Sequence, residues 1–183
     1  MRWRNADLGY VSMIKLATEG HTGRRWYQDS KASIDAYAMR HGLDAGVVCD
    51  TLAILSPRVT VERGVRLAHA WLTTGRADKA MRHRVKALES YAHSGTFGGP
   101  KVNAFAMALR GDPHAIVIDA WMYRAARIDK PGVKAYRHVE SMVQDAASVL
   151  GWPYRETQAT IWQGARAYVG YASGYRPLSM DGF

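Results

Sequence analysis

Apolar positions recur along the chain at three- and four-residue spacing, and no clear period-two alternation interrupts them, which predicts an all-α protein. The run AGVVCDTLAIL, residues 45–55, is apolar nearly all round, as expected of a buried helix. The Ser-Pro-Arg after it ends that helix, because proline cannot continue the hydrogen-bond ladder. In GRRWYQDSKASIDAYAMRHG the spacing puts Trp26, Ile34, Tyr37 and Met39 near one inward face, with Gly42 as the stop. VTVERGVRLAHAWLTTG turns Val61, Val65, Leu67 and Ala68 inward and ends at Gly75. RADKAMRHRVKALESYAHSG, PKVNAFAMALRG, DAWMYRAARI, KAYRHVESMVQDAASVLG and YRETQATIWQGARAYVGYA complete about eight helices. The one β-branched cluster, AIVID, is too short to alter the class.

The connections are short, which predicts a single domain over 1–183: a two-lobed helical globule with a cleft between an N-terminal bundle and the C-terminal helices. A frayed tail is expected over about 174–183. Cys49 is the only cysteine, which excludes an internal disulfide and a cysteine-built metal or iron-sulfur site. The seven histidines show no metal-ligand spacing, so no metal and no cofactor are expected. No apolar stretch approaches the roughly 20 residues of a membrane span, and a soluble, cytoplasmic monomer is expected. Twenty-five Lys and Arg against sixteen Asp and Glu leave a charge of +9, an excess that suits a polyanionic partner.

That charge gathers around one constellation. A basic helix carrying Arg82, Arg84 and Lys86 leads into the turn HSGTFGG, and a second helix begins with Pro100 at its first position. A loop follows, and then a helix opening at Asp119, which lies 18 residues after Lys101. The pattern reads as a helix-hairpin-helix over about 78–109 with a carboxylate at the next helix start. Gly95, Gly98 and Gly99 let the backbone approach something large, and N–H groups at a helix start suit a DNA phosphate.

Order and spacing here resemble the helix-hairpin-helix (HhH-GPD) DNA glycosylase superfamily, of the endonuclease III and 8-oxoguanine glycosylase type. In that family a G-x-G-x-K hairpin precedes VDxH and an arginine; here GGPK precedes VIDAWMYRA. Upstream, VVCDTLAILSPRVTVERGVRLAHAWL resembles the family's apolar helix, plug-bearing loop and following helix, and HRVKALES its helix before the hairpin. The resemblance covers roughly residues 45–128. It implies an enzyme that binds double-stranded DNA and acts on a flipped base. Asp119 would then activate a nucleophile or stabilise the cationic sugar formed as the C1′–N bond breaks. Lys101 would either attack C1′ as an amine, as in members with lyase activity, or hold a phosphate. Arg58 would fill the gap left by the flipped base.

Each position also has a plainer reading: Asp119 as a helix cap, Arg58 as an ion-pair partner, and residues 82, 84 and 86 as a solvated face. Arg124 is expected to order the C-terminal helices or touch phosphate. Trp121 and Trp162 are the candidates to stack on an extruded base. Gln158, one turn from Trp162, would read a base edge or satisfy a buried backbone group. The sequence departs from the family at Trp121, where a histidine is usual, and in lacking the leading Leu-Pro-Gly and the C-terminal four-cysteine cluster. Those departures resemble a diverged branch, the putrescinyl-thymine pyrophosphorylase-like proteins of phage DNA hypermodification. That resemblance implies transfer of an amine or amino acid onto a modified thymine, in the host cytoplasm. A DNA-binding protein that kept the hairpin and lost the chemistry is the third reading.

Overall fold

A computed structural model describes residues 12–77, 80–95, 98–171 and 175–183. Among them the chain is all-α, with no strand: α1 (Met13–Glu19), a 3-10 helix (His21–Arg25), α2 (Trp26–His41), α3 (Ala45–Leu55), α4 (Val61–Thr74), α5 (Arg82–Ser94), α6 (Pro100–Arg110), α7 (Ala120–Ala125), α8 (Val133–Leu150) and α9 (Tyr154–Tyr168). No helix among the described residues is long and apolar enough to cross a membrane. The chain divides into two compact units. The first holds residues up to Trp26 together with Pro113–Arg176, and the second holds Tyr27–Asp112 together with Pro177–Phe183.

In the first unit α9 packs against α1, α7 and α8. Met13, Leu16, Ile118, Met122, Val139, Val143 and Ile161 form one buried cluster. α1 starts where the Ser12 hydroxyl accepts the Lys15 N–H, and its apolar residues sit at three- and four-residue spacing. The crossing of α1 and α9 is so close that it requires glycine. A Cβ on Gly164 would lie 2.0 Å from the Leu16 carbonyl oxygen, and one on Gly20 would lie 2.0 Å from that of Thr160. The β-branched run Ala115–Ile118 is buried as extended connection without strand pairing.

The second unit is organised around α3, which is buried from Val48 to Leu55 and contacts α4, α5 and α6. Asp44 caps its start by accepting the Val47 N–H at 2.9 Å. Thr60 caps α4 in the same manner, and Gly75, Gly95 and Gly111 end α4, α5 and α6 in the left-handed conformation that glycine adopts without a Cβ clash.

Several expectations are corrected. Met39 is not inward but 85% exposed: at about 100° per residue it falls about 140° round the helix from Trp26 and Ile34 and about 160° from Tyr37. The basic helix starts at Arg82 rather than near Arg76. The C-terminal segment is not frayed over 177–183: Leu178 and Met180 are buried, and their N–H groups donate to the hydroxyls of Ser30 and Ser33 on α2. Its apolar residues alternate around polar ones, which lets an extended segment bury one side against a helix.

Candidate functional site

In the first unit the site is built on Asp119. The buried run Ala115–Ile118 delivers this residue to the start of α7, where its extended backbone makes it the N-cap. Oδ1 accepts the N–H of Trp121 at 2.8 Å and of Met122 at 3.1 Å. Oδ2 accepts the indole N–H of Trp162, from α9, at 3.1 Å. The capping and functional readings of Asp119 are thus compatible, because the cap occupies one oxygen and leaves the other turned to a side chain. The carboxylate is half-buried and held in one orientation by three donors.

Aromatic rings and arginines pack on the two tryptophans that hold it. The Arg124 guanidinium lies 4.5 Å from the centre of the Trp121 ring, and Tyr171 meets that ring edge-on at 5.1 Å. Arg166 lies 4.2 Å over the Trp162 ring, with Trp26 tilted against it at 6.5 Å. An arginine thus lies over one face of each tryptophan, and the N–H of Trp162 in addition orients Asp119. Trp121 is half-buried beside an exposed Tyr171. Gln158 is 3% exposed on α9, in keeping with its reading as a buried hydrogen-bonding group rather than a base reader. Arg166 and Tyr171 were missed in the sequence, although Arg166 follows Trp162 by one helical turn, a spacing that places the two side chains together.

In the second unit, α5 and α6 stand where the two helices of the hairpin are expected, and both pack on α3. Of its connecting turn, Thr96 and Phe97 lie outside the described residues. Gly95 and Gly99 have φ of 66° and 97°, and nothing lies within 4 Å of a Cβ built on Gly95, Gly98 or Gly99. α6 begins without a side-chain cap, and Lys101 sits half-buried in its first turn. Arg82 and Lys86 are exposed on α5. Arg84 is a correction: it is buried, and its Nη1 donates to the Leu55 carbonyl at 2.5 Å. Residues two apart on a helix point about 200° apart, so Arg84 cannot share the face of Arg82 and Lys86. Arg58 is exposed in the turn after α3, with φ of 58°, a left-handed conformation uncommon outside glycine.

A second polar centre went unnoticed in the sequence because Asp50 lies within an apolar run. Asp50 is buried on α3, and its Oδ2 accepts the Tyr91 hydroxyl of α5 at 2.6 Å and an N–H of Arg110 from α6. Burial and this hydrogen bond push the Tyr91 phenol up to about 12. Burial likewise pushes the neighbouring Cys49 thiol up to about 12, which makes it a poor nucleophile. Among the described residues no group of three or more His, Cys, Asp or Glu could hold a metal ion.

Fold and site together define an all-α protein carrying a capped carboxylate held by two tryptophans in one unit and, in the other, two successive helices with glycines at the end of the first and the start of the second. The chain belongs to the family of unknown function DUF7178, which it matches over residues 12–168. No curated protein and no solved structure matches it.

Proposed function

We propose that this protein is a DNA-binding, base-flipping enzyme, in its simplest form a DNA glycosylase acting on a modified or damaged base. The observation that carries the reading is the Asp119 carboxylate, fixed by Trp121, Met122 and Trp162, with an arginine over each tryptophan ring. Glycosidic cleavage sends the electron pair of the C1′–N bond to the departing base and leaves a cationic sugar. A carboxylate locked in place stabilises that cation without reorganising, and its remaining lone pair can take the proton of the attacking water. Trp121 offers a face for the extruded base, and Arg124 and Arg166 favour the adjoining phosphates. The hairpin supplies the grip: open glycines, an uncapped α6 start, and Lys101, Arg82 and Lys86.

The test is nucleoside and base analysis by mass spectrometry after incubating the protein with duplexes carrying different modified bases. The reading expects a free base and an abasic site, both lost in Asp119→Asn while binding of the same duplex persists. Borohydride trapping that depends on Lys101 would add lyase activity. A pyrophosphorylated hydroxymethyluracil duplex that gains an amine with no abasic site would replace hydrolysis by group transfer. Binding without any product would leave a non-catalytic DNA-binding protein.

A further inference from the structure

We propose that the outward side of the first half of α8, with Lys134, Arg137 and His138 and the neighbouring Lys130, is a surface that holds the phosphodiester backbone of DNA on the unit that carries Asp119. Naming DNA rests on the function proposed above, whereas the demand for a polyanion stands on the charge pattern itself.

α8 is amphipathic, and its apolar side is used within its own unit: Val139, Val143 and Ala146 are buried in the cluster that holds Ile118 and Met122. At about 100° per residue, Lys134, Arg137, His138 and Ser141 fall within an arc of about 100° on the other side, and all four are exposed. Lys130 is exposed in the connection that leads into the helix. Among the described residues, none of Lys130, Lys134, Arg137 and His138 has a side-chain hydrogen bond, ion pair or ring contact. The nearby acids are Asp129, exposed next to Lys130 in the chain, and Glu140, half-buried, whose charge falls on the Tyr136 phenol. Farther along the same side come Asp145 and Ser148, so the positive charge is confined to the first half of the helix.

Helix stability does not account for this placement. The positive end of the helix dipole lies at Val133, where cations are disfavoured, and α8 has neither an acid in its first turn nor a side-chain cap. Lys134 and Arg137 stand one turn apart, a spacing at which like charges repel. Cations gathered at an end that disfavours them, without an acid paired to them, fit an anion supplied from outside the chain.

The surroundings narrow the partner. A lipid surface takes a helix by its apolar face, and that of α8 is already buried, with Val133 exposed among the cations. The outward side of a helix offers no groove to a peptide. A phosphodiester backbone asks only for cations that reach it from a surface. The surface is also tied to the site. Tyr136, turned inward between Lys134 and Arg137, donates its hydroxyl to the Ile116 carbonyl at 3.4 Å, and Asp119 follows three residues after Ile116. The turn of α8 that presents the cations is thus fastened to the run that delivers Asp119.

The experiment uses the full chain, the double variant Lys134→Ala/Arg137→Ala, a charge-preserving swap, Lys134→Arg/Arg137→Lys, and a charge-matched control, Lys15→Ala/Arg66→Ala, whose side chains are exposed on α1 and α4. Affinity for an undamaged duplex is measured against salt, with thermal unfolding alongside. The log–log slope is expected to fall by about 2 in the alanine variant relative to the control, as two phosphate contacts are lost, and to hold in the swap. The Tm of the alanine variant should not drop below the control's, because the cations leave a helix end that disfavours them. A slope equal to the control's, a slope that falls as far in the swap, or a loss of affinity that follows Tm overturns the surface. Capture by phosphatidylserine vesicles that needs Lys134 and Arg137, with no change in the duplex slope, also overturns it in favour of a membrane. Base release tests the enzyme separately. Release that persists with equal slopes removes the surface and keeps the glycosylase, whereas a fallen slope with no release from any modified duplex keeps the surface and removes the glycosylase. A wild type that binds no duplex removes both.

Discussion

The oxygens of Asp119 divide their partners, two backbone amides of α7 on Oδ1 and the Trp162 indole on Oδ2, so the residue's structural and chemical parts can be separated by substitution. Asparagine keeps an oxygen for the amides but loses the charge and turns an NH2 donor toward the Trp162 N–H. Asp119→Asn is expected to cost about 1 kcal/mol of stability, one lost hydrogen bond, while base release on the function proposed above falls about 10³-fold, the range of a lost acid-base group. Asp119→Ala removes the cap as well and should cost about 1 kcal/mol in addition. Wild-type turnover in the asparagine variant would remove Asp119 from the chemistry. Trp162→Phe keeps most of the ring and deletes only the N–H that orients Oδ2. With binding intact, kcat should drop by about tenfold, near the worth of one hydrogen bond to a charged group, and KM should hold. A change confined to KM would instead mean that the ring touches the substrate.

Helix crossings carry these side chains to their places, and the tightest of them is the one between α1 and α9. Gly164→Ala drives a Cβ into the Leu16 backbone, which cannot move aside as a side chain would, so a loss of about 3 kcal/mol is expected in denaturant unfolding. Because Trp162 lies two residues before Gly164, the same variant should also lose base release where it stays folded. Asp50→Ala should destabilise the second unit by about 3 kcal/mol, the lower end for a broken buried pair, since the Arg110 side chain is half exposed and regains water. Much at this scale was legible in the sequence. Ala45–Leu55 announces itself as a buried helix by being apolar all round, and Pro100, Gly75, Gly95 and Gly111 punctuate helices as those residues do. Asp119 as a helix start was equally plain. What periodicity could not show is which polar residue turns inward against a neighbouring helix. Arg84 looked like one of three cations on a wet face, and Asp50 like an interruption, because their partners, Leu55, Tyr91 and Arg110, are set by packing and not by spacing.

Across the whole molecule, both units bury protonated acids that strong base would ionise. Cys49 and Tyr91 in one unit and Tyr136 in the other are each pushed up to about 12, all chiefly by burial, from ordinary values of 9.0 for the thiol and 10.0 for the phenols. The folded chain therefore keeps protons that the unfolded chain releases. Their contribution is fully present below about pH 9 and is lost as pH rises, first through the thiol and then, above about 10, through the phenols. Urea unfolding from pH 7 to 11.5 should show flat stability to about pH 9 and a steepening fall beyond it. Between pH 9 and 10 the unfolded thiol titrates ahead of the phenols, so Cys49→Ala should flatten that stretch and leave the steeper fall above it. The same initial slope in Cys49→Ala would mean the thiol is not held protonated by burial. At the acid end the sign reverses at Asp181, whose carboxyl is held below its ordinary value by hydrogen bonds from Ser179 and Ser33. That contribution is present above about pH 4 and is lost as pH falls, which ties the docking of the C-terminal segment on α2 to the opposite end of the scale.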